Sequence, residues 1–198
     1  IADINLKFDQ KGNIKDDFII KGFVKDGEIK TLKKINLSKI SLIFNLQNNK
    51  FEFKDINLSY DNNDLTFPEL NIKKQKNKFL VSGKNNSKNL VLDNKKINQL
   101  LNIDFSNLKI KSAEFDLSNT FSFKIDNEYK IDDFKIDSLV NLKNSKVVSS
   151  KNLKEFFPEL NDIIELSDHQ IQIEYKENLL SVIGNGNILI QKEKDNIK

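Results

Sequence analysis

Apolar and polar residues alternate along most of this chain, and this period of two is the feature that most limits its fold. The alternation begins with Ile4, Leu6 and Phe8 and recurs in segments such as "INLSKISLIFNL" (35–46). Successive side chains of a β-strand point to opposite faces of a sheet, so the pattern predicts strands with one apolar face. Short polar connections such as "QNNK" (47–50) separate the segments. This spacing favours an all-β antiparallel meander, because parallel βαβ units need many crossover helices.

The composition also favours a sheet. The 198 residues include 15 Phe and only two Ala, so β-favouring residues are abundant and the best helix former is almost absent. Asp-Gly is a typical hairpin turn, and Asp26-Gly27 therefore predicts a turn within "DFIIKGFVKDGEIK" (17–30).

Two segments depart from the alternation and predict one or two short helices. "LDNKKINQLL" (92–101) has Asp93 as an N-terminal cap before apolar residues at helical spacing. "SKNLKEFFPEL" (150–160) has Glu155 three residues after Asn152, which is the arrangement of a capping box.

Five of the alternating segments shift their apolar positions by one residue. In "FEFKDINLSYD" (51–61), Asp55 stands where the next apolar residue is expected after Phe53, and the series resumes at Ile56. The same shift precedes four further residues, namely Ile40, Leu70, Ala113 and Phe134. One extra residue in a strand is a β-bulge, which bends the strand and returns the apolar residues to the same face. Aligned bulges predict a strongly curved, taco-like open sheet, whereas turns or corners at these points would instead give a β-sandwich.

The charged residues argue against a nucleic-acid partner. All 32 basic residues are Lys, and the formal net charge is only +3. Arg is the preferred side chain for bidentate recognition of phosphates and bases, and this chain has none. We interpret the lysines as solvated strand faces and protection of sheet edges.

No motif in the sequence predicts catalysis, a cofactor or a metal. The chain lacks Cys and has a single His, His169, which we interpret as a surface residue because it has no second transition-metal ligand of its kind. Acid pairs such as Asp16-Asp17 and Asp132-Asp133 fall where bends are expected. The glycines of "IGNGN" (183–187) lack the Lys-Ser/Thr of a phosphate loop and predict a bulge or turn. We therefore expect a protein that is not an enzyme.

The apolar face is the remaining candidate for function. If the sheet is open, its apolar side chains line a trough, and flexible acyl chains are suitable occupants because they need apolar contact without precise polar partners. The candidate lipid-lining residues are Ile40, Leu42, Phe44, Phe51, Phe53, Ile56, Leu58, Leu65, Phe67, Phe115, Leu117, Phe121, Phe123, Phe134 and Ile136.

Several segments carry a resemblance to a known family. Apolar strands that end in Gly before a polar tip occur in "IIKGFVKDGEI" (19–29), "FLVSG" (79–83) and "LLSVIGNGNILI" (179–190), and similar strands occupy 40–60 and 108–118. This texture resembles the AsmA-like proteins of Gram-negative bacteria, of the YhdP and TamB type, and is similar to the repeating β-groove of eukaryotic bridge-like lipid-transfer proteins.

The resemblance implies a specific setting. It implies a single β-groove segment over 1–198 with further groove segments of the same chain beside it. The sequence opens at Ile1 within the alternating pattern and without an initiator Met, so we also expect a segment excised from a longer chain. It also implies phospholipid acyl chains as ligands, intermembrane phospholipid transfer or outer-membrane biogenesis as the process, and a periplasmic location with an anchor in the inner membrane outside these residues. The residues alone leave a second interpretation open, a β-sandwich spacer or binding module of a cell-surface adhesin-like protein.

Overall fold

The protein forms one antiparallel sheet in which strands are neighbours in the order of the chain. The computed structural model describes residues 1–15, 17–30, 36–93, 109–148, 154–155, 158, 162–190 and 193–197. Within them lie β1 Ala2–Asn5, β2 Ile19–Lys30, β3 Asn36–Gln47, β4 Lys50–Tyr60, β5 Asn63–Gln75, β6 Lys78–Asp93, β7 Lys109–Asp126, β8 Ile131–Val148, β9 Ile163–Lys176, β10 Leu179–Ile190 and β11 Glu193–Ile197. The predicted open antiparallel meander is confirmed, and the sheet is not closed into a barrel. A sandwich needs two sheets, so the β-sandwich alternative is wrong.

Two-residue turns join several of the strands. Asp61 and Asn62 between β4 and β5 have φ angles of 49° and 64°, and Glu177 and Asn178 between β9 and β10 have 55° and 62°. Positive φ at both central residues matches the twist of the flanking strands, and Asn and Asp tolerate this conformation best. The Asn-rich connections of the sequence therefore fold as tight hairpins.

The apolar shifts in β3, β4 and β8 are β-bulges. Lys39, Asp55 and Asp133 lie at these shifts, with φ angles of 51°, 51° and 50°. Between β3 and β4 the register shifts twice, once at each strand's extra residue, and then returns to its original value. Each bulge therefore preserves the apolar face, as the sequence predicts.

The Asp26-Gly27 turn is a wrong prediction. Both residues lie inside β2, where Asp26 has a φ angle of 55° and the register with β3 shifts between Val24 and Gly27. The Asp26 amide donates a hydrogen bond to Ser41 Oγ at 3.4 Å. Asp-Gly therefore forms a bulge here, because a bulge and a hairpin turn both need a residue in the left-handed region.

The shift in β5 has a different form. The pairs Lys54↔Glu69 and Ile56↔Phe67 keep one register, which brings Asp55 of β4 opposite Pro68 of β5. Pro has no N–H to give to the ladder, so the two irregular positions share one interruption without displacing the strands.

The chain divides into two compact units. The first comprises Ile1–Ser87, Ser118–Asp137 and Glu174–Leu180, and the second comprises Lys88–Leu117, Ser138–Ile173 and Ser181–Lys198.

Each unit has a few buried apolar side chains. Among the described residues these are Ile40, Ile56 and Val81 in the first unit, and Leu90, Ala113, Val147 and Ile164 in the second. In the second unit Lys143 Nζ also lies 2.8 Å from Asp116 Oδ1, which accepts a hydrogen bond from the Asn89 amide. That Lys143 contact, together with the Asn89 amide, lowers the pKa of Asp116 below its ordinary value.

The two predicted helices fall mainly on residues outside the described ranges. Leu92 and Asp93, the predicted start of the first helix, belong to β6 instead, and 94–101 lie outside the described residues. In the second segment, Lys154 and Glu155 are helical, and most of the remainder lies outside the described residues.

Candidate functional site

Two rows of directly paired residues cross five strands of the first unit on one face of the sheet. Directly opposite residues of neighbouring strands point to the same face, so a chain of register pairs defines each row. The first row consists of Gly22, Phe44, Phe53, Leu70 and Gly83. The second consists of Ile20, Leu46, Phe51, Ile72 and Val81. Apart from the two glycines, every member is a large apolar side chain, and we call this surface the apolar face.

Aromatic rings continue the apolar character across the next strands of the same unit. The ring centroids of Phe121 and Phe123 on β7 are 6.3 Å apart, and Phe123 is 6.4 Å from Phe134 on β8. Phe134 in turn is 5.8 Å from Tyr175 on β9. These separations are typical of aromatic pairs that attract one another beyond their buried area. Three adjacent strands therefore present a continuous aromatic ribbon.

Aromatic rings also cover the glycines of the first row. A Cβ added to Gly22 would lie 2.7 Å from Phe44 Cζ, and one added to Gly83 would lie 2.8 Å from Phe121 Cζ. These rings occupy the space that a side chain would need, so a larger residue would displace them. Gly83 also ties the two parts of the face together, because it is paired with Leu70 and lies against Phe121.

The opposite face of the same strands is polar. Its row next to Gly22 and Phe44 runs through Phe23, Ile43, Lys54, Glu69 and Lys84. Lys84 Nζ lies 2.8 Å from Glu69 Oε1 across the strands. On the same face, two residues from Lys54 along β4, Glu52 accepts hydrogen bonds from Lys50 at 2.7 Å and from Asn45 at 3.0 Å. These partners lower the pKa of Glu52. The sheet of the first unit is therefore amphipathic, with Phe23 and Ile43 as its apolar exceptions on the polar side.

The predicted lining residues are only partly removed from solvent. Ile40 and Ile56 are each 6% exposed, while Phe134 is 40% exposed. The other twelve are half-buried, namely Leu42, Phe44, Phe51, Phe53, Leu58, Leu65, Phe67, Phe115, Leu117, Phe121, Phe123 and Ile136. A closed core would bury most of its large side chains below a tenth of their surface. The side chains of this face therefore keep contact with solvent.

Thirteen of the fifteen predicted residues lie in the first unit, and Phe115 and Leu117 lie in the second. Ile56 pairs with Phe67 and Leu58 with Leu65, so the structure brings these four together as well. The sequence interpretation missed seven members of the rows, namely Ile20, Gly22, Leu46, Leu70, Ile72, Val81 and Gly83. It also missed Tyr175 of the aromatic ribbon. Leu70 and Ile72 had a usable signal, since they continue the alternation after the shift in β5.

Several depressions lie on the first unit, and two of them border β7 and β8. One, with a volume of about 300 Å³, is bordered by Phe121, Ile136 and Tyr175 together with polar side chains such as Lys135 and Glu174. The other, of about 630 Å³, is bordered by the β5–β6 turn, Lys124 and Asp133 and has only polar side chains. The first depression adjoins the aromatic ribbon and is of a size that ligands use.

The single histidine of the sequence, His169, lies on β9. His169 is half-buried, its ring lies against Gly186 of β10, and its Nδ1 is 3.0 Å from the Ser167 carbonyl oxygen. The side chain therefore keeps part of its surface in solvent and packs the rest against the neighbouring strand. In the second unit the His169 ring covers Gly186 of the neighbouring strand. The Phe44 and Phe121 rings cover Gly22 and Gly83 in the first unit in the same way.

Two further features concern metals and membranes. Across the described ranges, His, Asp and Glu side chains do not gather in any group of three or more that could hold a metal ion. Within the described residues, no helix has the length and the hydropathy that crossing a membrane requires.

Comparison of the chain with protein-family models, with curated proteins and with solved structures finds no match.

Proposed function

We propose that the apolar face binds phospholipid acyl chains and that the protein is a non-catalytic segment of a lipid-transfer or envelope-biogenesis protein. The observation that supports this most directly is the pair of apolar rows, whose large side chains, apart from buried Val81, keep some contact with solvent on one side of an amphipathic sheet. Covering such a surface is favourable by about 25 cal/mol per Å² of apolar area. A ligand that supplies flexible hydrocarbon would gain this free energy.

The aromatic ribbon favours an acyl chain, rather than a rigid molecule, as the ligand. Phe121, Phe123, Phe134 and Tyr175 present ring faces and edges without a fixed set of hydrogen-bonding groups. An acyl chain adapts its torsions to such a surface, whereas a rigid ligand needs precisely placed polar partners for its orientation.

The setting of this function follows from the resemblance to AsmA-like proteins. By that resemblance we place the protein in the periplasm or cell envelope, in a parent with an inner-membrane anchor and membrane contacts outside these residues. The adhesin-like alternative rested on a closed sandwich, and no feature of the single sheet favours it.

Flanking groove segments of the same chain are the second proposed partner. In the described part of the chain, β11 pairs only with the Gly186–Ile190 half of β10. The other half exposes Leu179, Leu180, Val182 and Ile183, each between 58% and 74%. Leu179–Asn185 also has no charged residue or Pro, which are the usual protection of an edge strand. An added strand would cover this edge, and hydrogen exchange of its amides in the full natural chain should then be slow.

Site-specific photocrosslinking tests the lipid proposal. A benzophenone side chain at Phe53 or Phe123 should capture phospholipid in cells, because Phe53 lies on the apolar face and Phe123 lies in the aromatic ribbon that continues it. The same probe at Phe23 is the matched control, since Phe23 is 44% exposed on the opposite face of the same sheet. Capture that is absent at 53 and 123, or equal at all three positions, would contradict the proposal.

A further inference from the structure

Polar side chains interrupt the apolar face of the first unit. On β6 the buried positions alternate through Val81, Gly83, Asn85 and Ser87, so the last two lie on the same face as the first two. Asn85 is 5% exposed and Ser87 is 1% exposed. On β7, Asn119 has the same relation to Phe121, because it lies two residues away on the same face.

Two contacts between β6 and β7 bracket these asparagines. Gly83 lies against Phe121, and the Asn89 amide donates to Asp116 Oδ1 at 2.8 Å. The strands are antiparallel neighbours, so residues between these contacts face one another in opposite order. Moving two residues from the first contact along each strand leads to Asn85 and Asn119, which therefore stand side by side.

In both asparagines the side-chain amide oxygen, Oδ1, is buried without a hydrogen-bond partner. Asn85 Nδ2 donates to Ser87 Oγ at 2.8 Å, and Ser87 Oγ also accepts the Thr66 amide at 3.0 Å. Asn85 Oδ1 and Asn119 Oδ1 are buried and unpaired. A buried acceptor without a donor destabilises a protein, and a leucine of similar size would avoid this cost. Two such acceptors side by side point to a donor that arrives from outside the chain.

We infer that Asn85 and Asn119 accept hydrogen bonds from a donor-bearing polar group of the lipid, and that they select its headgroup. This inference rests on the proposed binding of acyl chains to the apolar face. The aromatic ribbon begins at Phe121, two residues from Asn119, so the hydrocarbon of the same ligand has its own surface beside the polar pair. The headgroup reaches the two oxygens when the side chains that bury them turn aside.

Two lipids that differ in this donor provide the test. Phosphatidylethanolamine has an ammonium group that donates hydrogen bonds, whereas the quaternary ammonium of phosphatidylcholine has no N–H. With matched acyl chains, we expect the wild-type protein to retain the first at least about tenfold more tightly. The double variant Asn85→Leu, Asn119→Leu should lose this preference and keep its affinity for phosphatidylcholine.

Asn71→Leu is the matched control, because Asn71 lies on the polar face of the same unit, paired with Glu52 and Ser82. It should keep the preference. Urea unfolding of the double variant provides a second readout, and we expect its stability to be equal to or greater than that of the wild type, since it lacks the two unpaired acceptors. Binding of both lipids without preference, or a preference that survives in the double variant, would overturn the inference alone. Failure to bind either lipid would overturn the proposed function and this inference with it.

Discussion

A pair of substitutions on β3 distinguishes an open apolar face from a closed core. Ile40 and Leu42 point to the same side of the strand, but Ile40 is 6% exposed and Leu42 is half-buried. We expect Ile40→Asp to unfold or severely destabilise the protein and Leu42→Asp to be tolerated. The same residue type is introduced two positions apart on one strand, so the difference reports the surroundings of each site.

The magnitudes follow from burial. Full burial of a Leu or Ile side chain is worth about 1.5 to 3 kcal/mol, so half-buried Leu42 loses about 1 to 1.5 kcal/mol. Its aspartate keeps water on one side, and the total loss is about 2 kcal/mol. At Ile40 the full transfer term adds to the desolvation of an unpaired carboxylate, which costs several kcal/mol more. The expected loss there is at least about 4 kcal/mol.

Urea unfolding followed by far-UV circular dichroism measures both losses. Leu42→Asn is the control, because it removes the apolar side chain without introducing a charge. Leu42→Asp should also reduce lipid capture at Phe53, since the carboxylate lies on the same face. If Leu42→Asp and Ile40→Asp destabilise the protein equally, the side chains of this face fill a closed interior and the reasoning fails.

Three further predictions test the bulges, the glycines and an ion pair. Asp55 has a φ angle of 51°, which a β-branched residue adopts only with strain. In urea unfolding, Asp55→Val should therefore destabilise the protein by about 1 to 2 kcal/mol, whereas Asp55→Gly should not. Equal effects of the two substitutions would contradict the bulge. Gly83→Ala would place a methyl group 2.8 Å from Phe121 Cζ. We expect the free energy of unfolding to fall by about 1 to 3 kcal/mol and the Phe121 ring signals to shift in NMR spectra. Unchanged spectra would contradict the contact. Lys143 lowers the pKa of Asp116, so the pair stabilises the fold above the ordinary carboxyl pKa of about 3.9 and this stability is lost as the pH falls through the lower folded-state pKa. Wild-type urea midpoints should therefore fall more steeply below about pH 4 than those of Asp116→Asn, and parallel curves would refute this coupling.

The sequence predicted the strands and most of the bulges for a physical reason. A period of two leaves only one face for apolar residues, so any extra residue must be absorbed by a bulge if the face is to persist. Lys39, Asp55 and Asp133 follow this rule. The shift in β5 occurs at Pro68 without a left-handed residue in that strand. Asp55 of β4 lies opposite Pro68 and interrupts the hydrogen-bond ladder there. That compensation depends on the register of two strands and is invisible in either one alone.

The composition of the site was less accessible from sequence. Gly22 and Gly83 have no side chain to mark a face, and only their pairing with Phe44 and Leu70 places them in an apolar row. Asn85 and Asn119 appear in the sequence as ordinary polar residues 34 positions apart. Their proximity is set by the antiparallel pairing of β6 and β7, and the missing partners of their carbonyl oxygens are a property of packing.

The distribution of burial in the first unit indicates what the apolar face is available to do. Among its described residues, only Ile40, Ile56 and Val81 are buried apolar side chains, so the fold depends largely on ladder hydrogen bonds and cross-strand pairs. The half-buried side chains around them keep part of their apolar surface in contact with water, and the burial of that remaining surface is available to binding. A flexible hydrocarbon ligand would cover that surface without an energetic cost for reshaping the sheet. If phospholipid binds this surface, the folded state gains stability from it, and unfolding midpoints should rise with the concentration of free phospholipid.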